Sequence, residues 1–294
     1  MIKRIIEVGN AAHLALKNNQ LVVRRNGFEP ETIPVEDLGV LILDHPAISY
    51  TQALLTACSD NNVAVLICNE KHLPNAICLP LTGNSLHTKI LNRQIQIAEP
   101  VRKRLWQEII RAKILGQAKV LDKVINEDHL LNIYAEKVKS GDSENMEAQA
   151  SRIYWPKLFG GNFRRNPDES GINTLLNYGY SIIRAAVARA IVGAGLHPSL
   201  GIHHHNQYNN FCLADDLMEP IRPAVDIKVF ELLKLSSDEL KLTSGNKLII
   251  LNILNNSCCI GGTNLPLMSS LHYYSASIKR VLCGEDKKPE IPSI

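Results

Sequence analysis

The stretch NVAVLICNEKHLPNAICLPLTGNSLHTKILNRQI, residues 62 to 95, holds the change of period that decides the fold. Its opening VAVLIC is a nearly continuous β-branched and apolar run, the pattern of a strand covered on both faces. PLTGNS, Pro80 to Ser85, has no period and reads as a linker. From Leu86 the apolar residues recur every three or four positions, as on a helix. Toward the N-terminus, IKRIIEV, HLALKNNQLVVRR and DLGVLILD are further short β-branched runs punctuated by Asn, Gly and Pro. LALKNNQLVVR sets a polar tip between two strand-like arms, a hairpin signal. Only Tyr50 to Ser59, YTQALLTACS, reads as helix in this part. Toward the C-terminus, His87–Leu115, Ala118–Lys139, Ser143–Phe159, Thr174–Ala194, Leu213–Leu217, Pro223–Leu233 and Pro266–Cys283 suit helices. Long loops span 159–171 and 196–211, and GGTN at 261–264 reads as a turn. The expected class is α+β: a small N-terminal β-rich domain over 1–81, a linker over 82–90 and a large all-α domain over 91–294. The polar, proline-containing tail GEDKKPEIPSI is expected to fray.

The 294 residues are 45% hydrophobic and 21% charged, which excludes a disordered or fibrous chain. No run of 18 uncharged apolar residues excludes a transmembrane helix. Glu7 inside the first apolar stretch, and the lack of a small-residue cleavage site, exclude a signal peptide. The expectation is a soluble, cytoplasmic protein with no membrane partner. Seven cysteines form an odd set without a CxxC pair, which fits buried reduced thiols better than zinc ligation or disulfides.

Net charge is only +3, yet it is unevenly placed. Between Lys89 and Lys123 nine basic residues face three acidic ones, and from Val124 to Glu147 six acidic face two basic. From Arg152 to Arg189 six basic residues face two acidic ones. A polyanion-binding face beside an acidic cation pocket has this segregation, and so do ordinary solvated helix faces.

The stretch GLHPSLGIHHHNQYNNFCLADDLMEPIRPAVD, 195–226, is the richest in chemistry. His197, His203, His204 and His205 precede Asp215, Asp216 and Glu219. On one helix Asp215 and Glu219 would share a face, as would Asp216 and Glu219. Imidazole with one or two carboxylates suits Mn²⁺ or Mg²⁺, whereas zinc favours more nitrogen or sulfur. Neighbouring side chains diverge, so at most one or two of the three consecutive histidines are ligands. A polar loop whose histidines cap helices is the other reading. In EAQASRIYWPKLF, 147–159, Glu147 is a lone acid in an apolar turn, costly to bury unless a cation faces it. A first-turn Glu favoured by the helix dipole, with Asp142 or Ser143 as cap, is the alternative. No G-x-G-x-x-G, Walker loop, G-x-S-x-G or H-E-x-x-H occurs, which argues against nucleotide-cofactor, kinase, serine-hydrolase and zincin chemistry.

Taken in order, E-A-Q-A-S-R-I-Y-W, N-T-L-L-N-Y-G-Y-S-I-I-R-A, G-L-H-P-S-L-G-I-H-H and D-L-M-E-P-I-R-P resemble the CRISPR adaptation integrases, the first of the Cas proteins. The phrase from Asn210 to Pro223 resembles the branch that accompanies large single-protein effectors (type II systems), and the likeness runs through residue 283. The resemblance implies an N-terminal β-rich dimerisation domain and a C-terminal helical catalytic domain. It implies a Mg²⁺ or Mn²⁺ site at Glu147, His204 and Glu219, with Asp216 supporting it. Glu219 stands where many relatives have Asp. It implies integration of captured double-stranded DNA into the repeat array by transesterification, and DNA endonuclease action with water as nucleophile. The implied partners are a second copy of the chain and a small ferredoxin-like second Cas protein. Arg102, Lys103, Arg104, Arg164, Arg165, Arg184, Arg189 and Arg222 are candidates for the DNA backbone. The competing readings are a non-catalytic DNA-binding scaffold of the same fold and a metal hydrolase acting on a small molecule.

Overall fold

The computed structural model describes residues 3–81, 83–125, 127–235 and 241–294. Ile2 of the expected first strand, Thr82 of the expected linker and Asn126 of an expected helix lie outside the described residues.

Two four-stranded sheets form the N-terminal part. The first has the order β1 (Arg4–Val8), β5 (Leu38–Leu43), β7 (Ala64–Cys68) and β8 (Pro74–Cys78). Its first three strands are parallel and β8 is antiparallel to β7. The second has the order β4 (Glu31–Pro34), β3 (Gln20–Arg24), β2 (His13–Lys17) and β6 (Ser49–Tyr50). β2 and β3 are the expected hairpin, and its two tip residues Asn18 and Asn19 both have positive φ, 51° and 59°. Asparagine tolerates that left-handed geometry, which matches the twist of the arms.

All six residues of β5 are buried, as its unbroken apolar run predicts. Leu41 and Leu43 face the second sheet and α1 (Gln52–Asp60), packing with Leu14, Leu21, Leu54 and Cys58. Val40 and Ile42 face the other way and belong to the core of the helical part. The strand-rich and helical parts therefore share one apolar layer, each fully buried aliphatic side chain there contributing about 1.5–3 kcal/mol.

The helical part contains α2 (His87–Ile95), α3 (Glu99–Val124), α4 (Leu131–Lys137), α5 (Met146–Phe159), α6 (Ile172–Gly193), α7 (Cys212–Met218), α8 (Arg222–Leu235), α9 (Ser244–Leu251) and α10 (Leu267–Leu282). α6 runs through its centre with 15 buried residues. The expected break at 115–118 is absent: α3 continues through Gly116, where a Cβ would meet Pro223 Cγ at 3.1 Å. That glycine serves close packing against α8. The break lies earlier, before Pro100 in the first turn of α3. Beyond the expected helices, a hairpin of β9 (Ser257–Ile260) and β10 (Thr263–Pro266) precedes α10, turning at Gly261 and Gly262 with φ of 55° and 78°.

The tail does not fray. Ser293 bridges Cys259 of the hairpin, Arg280 pairs with Glu290 at 3.0 Å, and Ile291 and Ile294 pack on the core. Apolar anchors spaced between its charges outweigh the chain-end entropy. The seven cysteines are free thiols, though Cys78 and Cys259 are exposed rather than buried.

A buried ionic contact joins the two parts. Lys247 of α9 pairs with Asp44, just after β5, and lies 3.5 Å from Glu7 of β1. Asp44 also accepts from His72 at 2.9 Å. Asp44→Ala leaves that ammonium buried with only Glu7 near it, and removing one partner of a buried pair costs about 3 kcal/mol. Thermal unfolding should show Tm lowered by several degrees, with exposed Lys71→Ala unchanged as control.

Candidate active site

Trp106, Ile109, Ile110, Lys113, Ile114 and Gln117 form the buried stripe of α3, so the Lys113 ammonium enters the interior at mid-helix. A buried cation requires anions. Lys113 donates to Glu147 and lies 2.6 Å from Glu219 Oε2.

Glu147 is free for this role because other groups satisfy the start of α5. The Asn145 side chain accepts from Ala148 N–H at 3.3 Å, and Asp142 accepts from the Met146 and Glu147 N–H groups at 2.8 and 3.1 Å. Its side chain is 30% exposed, so it is neither a surface Glu nor itself a cap.

The three acids of 215–219 diverge. α7 ends at Met218 and a single 3₁₀ turn, Glu219–Ile221, contains Pro220. Asp215 pairs with Arg184 and accepts from Asn209 at 2.7 Å. Asp216, wholly buried, accepts from the backbone N–H groups of Ile202, His203 and His204 at 2.6, 2.8 and 3.2 Å, and from His204 Nδ1. Gly201 permits that turn, since a Cβ there would sit 2.2 Å from the His204 carbonyl oxygen. Glu219, with 6% of its side chain exposed, faces Lys113 and accepts from Arg222 Nε at 2.9 Å. The helical face expected for Asp215, Asp216 and Glu219 is thus not shared.

The histidine triplet also divides. His203 stacks flat on Trp106, ring centroids 4.2 Å apart, and His204 meets the same indole edge-on. His205 accepts from Arg102 at 3.1 Å. An ionised carboxylate only accepts, so Asp216 fixes the proton on His204 Nδ1 and leaves Nε2 as the nitrogen that can coordinate.

Electrostatics follow this geometry. The bond to Asp216 raises the His204 pKa, while burial and then His204 lower that of His203. Burial pushes Glu219 up, but Arg222 and Lys113 overcome it and hold the carboxyl down at about 2. Burial likewise works against the Lys113 charge, and Glu219 and Glu147 reverse the effect. Asp226, buried and raised to about 6 by desolvation, accepts from Tyr154 and Tyr180, and Arg222 lies 4.6 Å over the Tyr180 ring.

Two open clefts meet at the histidine triplet. Arg165, Tyr180, Arg184, His204, Glu219 and Arg222 line one, and Arg102, Lys103, Trp106, His203 and His205 line the other. Arg104 and Arg164 are exposed outside them. Arg189 is a correction: it is 2% exposed and donates to the Asn62 carbonyl and His272, so it reaches no external phosphate. Among the described residues, no three His, Cys, Asp or Glu side chains close into a metal-holding set as they stand. The cation between Glu147 and Glu219 is Lys113.

Residues 7–243 match the family model described as CRISPR associated protein Cas1. The chain belongs to the Cas1 family. It is 36% identical over 297 residues to the CRISPR-associated endonuclease Cas1 of Neisseria meningitidis serogroup C, spanning 100% of this chain and 97% of that one. A casposase bound to its integration product shares the fold, with a TM-score of 0.78 at 21% identity over 97% of this chain and 92% of that chain. A Cas6-RT-Cas1–Cas2 complex aligns at a TM-score of 0.74 and 18% identity, covering 97% of this chain and 35% of that chain. Within this Cas1 fold, sequence reasoning gives no role to Trp106, Tyr180 or Asp226, and Lys113, which reads from sequence as one of the basic residues of 102–113 facing the DNA backbone, turns inward to Glu147 and Glu219 instead. The available signal for Lys113 was a charged residue on the apolar stripe of a long helix.

The depressed Glu219 carboxyl makes a pH prediction. A depressed acid contributes stability that is present above its unfolded pKa and is lost as pH falls through the folded value. In EDTA, Glu219→Gln should unfold at lower temperature than wild type at neutral pH. That gap should close between pH 4.5 and about 2, as calorimetry would show.

Proposed function

We propose that this Cas1 chain is a divalent-metal-dependent DNA integrase and endonuclease of CRISPR adaptation. The observation that carries the reading is the convergence of Glu147 and Glu219 on one cation, Lys113, with Glu219 and His204 lining one arginine-bearing cleft. The ammonium is a stand-in for a cation at that point. Glu219 Oε2 is buried with the Lys113 ammonium 2.6 Å away, so the oxygen sits where an electropositive group is held. Glu147, Glu219 and His204 Nε2 are a hard, mostly oxygen donor set, suited to Mg²⁺ or Mn²⁺. Such an ion, when bound, polarises a phosphodiester and stabilises charge on its oxygens.

The chain's own residues do the rest. Asp216 orients His204 through Nδ1 and holds the 202–204 backbone, which is support and not ligation. Arg165, Arg184 and Arg222 in one cleft, and Arg102 and Lys103 in the other, bind and orient the DNA backbone. Arg104 and Arg164 extend that surface. In the joining step a 3′-hydroxyl of the captured fragment attacks a repeat phosphate and the repeat 3′-oxygen leaves. One P–O bond forms as one breaks, so no external energy source is needed. With water as nucleophile the same displacement is hydrolysis.

The chain acts as a homodimer through its β-rich domain, with the small ferredoxin-like second Cas protein as a further partner. The solved Cas6-RT-Cas1–Cas2 assembly supports that pairing. The proposed place of action is the cytoplasm; among the described residues no helix is long and apolar enough to cross a membrane.

Glu147→Ala, His204→Ala and Glu219→Ala should each abolish strand transfer into a repeat duplex, measured on labelled oligonucleotides, and EDTA should do the same to wild type. Activity that survives chelation would overturn the metal reading. Full activity of His204→Ala with a dead His205→Ala would move the site by one residue. Arg184→Ala should weaken duplex binding and lower the salt slope of affinity by about one counterion.

A further inference from the structure

Lys113 lies between the two acids of the site, and the proposed chemistry gives it no role. Its side chain is 10% exposed, and it lies between acids from two separate segments, Glu147 at the start of α5 and Glu219 in the turn after α7. Glu219 has a second cation in Arg222, whereas among the described residues Lys113 is the cation paired with Glu147. The ammonium donates to Glu147, and Glu219 Oε2 lies 2.6 Å from it. This is one cation held at bonding distance from both carboxylates. A lysine ammonium is a point charge on a flexible four-carbon stem, so it can withdraw without moving the helix that carries it.

We propose that Lys113 is a tethered counter-cation that keeps Glu147 and Glu219 together in the metal-free protein and is exchanged for the divalent ion on loading. The inference rests on the metal reading above. Metal binding is then a competition. Two carboxylates drawn together without any cation would repel, so the lysine keeps the site assembled. It does so at the expense of affinity, because its ammonium must be displaced before both acids are available. Lys113 is a positioning residue: it acts through the two acids and touches no substrate.

Two measurements test this on the full-length protein, with Mn²⁺ alone as probe. In isothermal titration, Lys113→Met should bind Mn²⁺ about tenfold more tightly than wild type, equivalent to ~1.4 kcal/mol. In EDTA the same variant should have a lower Tm than wild type, and Mn²⁺ should raise it by more. Equal or weaker Mn²⁺ binding by the variant overturns the proposal. The second measurement needs no variant. Wild-type protein is treated with a small amine-acylating reagent with and without Mn²⁺, and labelling is read by mass spectrometry. Lys113 should become several-fold more reactive with Mn²⁺, while Lys247, equally buried between Asp44 and Glu7, should not change. Mn²⁺ binding with unchanged Lys113 labelling overturns the exchange and leaves the metal reading standing. If wild type binds no Mn²⁺ at all, both fall.

Discussion

A single ammonium group deep in the longest helix sets the terms for the site around it. Lys113 is carried inward by the apolar stripe of α3, and a charge there is tolerable only if anions meet it. Glu147 and Glu219 meet it from two segments far apart in the chain. Each could do so only because other groups took over local duties. Asn145 and Asp142 satisfy the amide donors of α5, which frees the Glu147 side chain. Pro220 and the 3₁₀ turn rotate Glu219 away from Asp215 and Asp216, which frees it from the helix face. The support is layered, each polar group being held by one further out, as buried networks must be if no member is to be orphaned.

The same device recurs once more, in a different place. Lys247 meets Asp44 and Glu7, again acids from separate segments, and this contact joins α9 to the strand-rich part. The two lysines differ in what surrounds them. Lys247 is 7% exposed, Asp44 2% and Glu7 16%, so both of its acids are more covered than Glu147. Glu147 is 30% exposed, and Glu219 lines a cleft with Arg165, Arg184, His204 and Arg222. The more an acid is exposed, the more readily it can exchange its partner with what enters from solvent.

Much of the fold was legible because burial writes itself into period. β5 read as a strand covered on both faces since every residue in it is apolar, and it is covered on both faces. The Asn18–Asn19 tip announced its hairpin through residues that accept positive φ. The errors came where a residue's local meaning was overridden by a distant neighbour. Gly116 suggested a helix break, but it is the place where Pro223 approaches α3. The tail looked polar, but its few apolar residues had a core to reach. At the site, motif order singled out Glu147, His204, Asp216 and Glu219, whereas Lys113 was hidden among nearby surface bases. A count of bases does not record which way a side chain points.

That last point limits what charge along a sequence can say. The segments 89–123 and 152–189 hold fifteen basic residues, and their excess suggested a broad basic face. Folding turns at least two of them inward for unrelated reasons. Lys113 neutralises the acids of the site, and Arg189 ties the end of α6 to the Asn62 carbonyl and His272. Others are compensated at the surface, Lys103 by Glu99 and Arg184 by Asp215. The basic groups that line the clefts are fewer: Arg165, Arg184 and Arg222 with Glu219 in one, Arg102 and Lys103 with His203 and His205 in the other, and of these Lys103, Arg184 and Arg222 each also meet a carboxylate. Bases divided between two clefts can straddle a strand and bring one phosphate between them. A uniform basic face would bind the same strand more tightly and leave every phosphate equivalent, so for a site that must act on one bond the smaller and divided charge is the more useful arrangement.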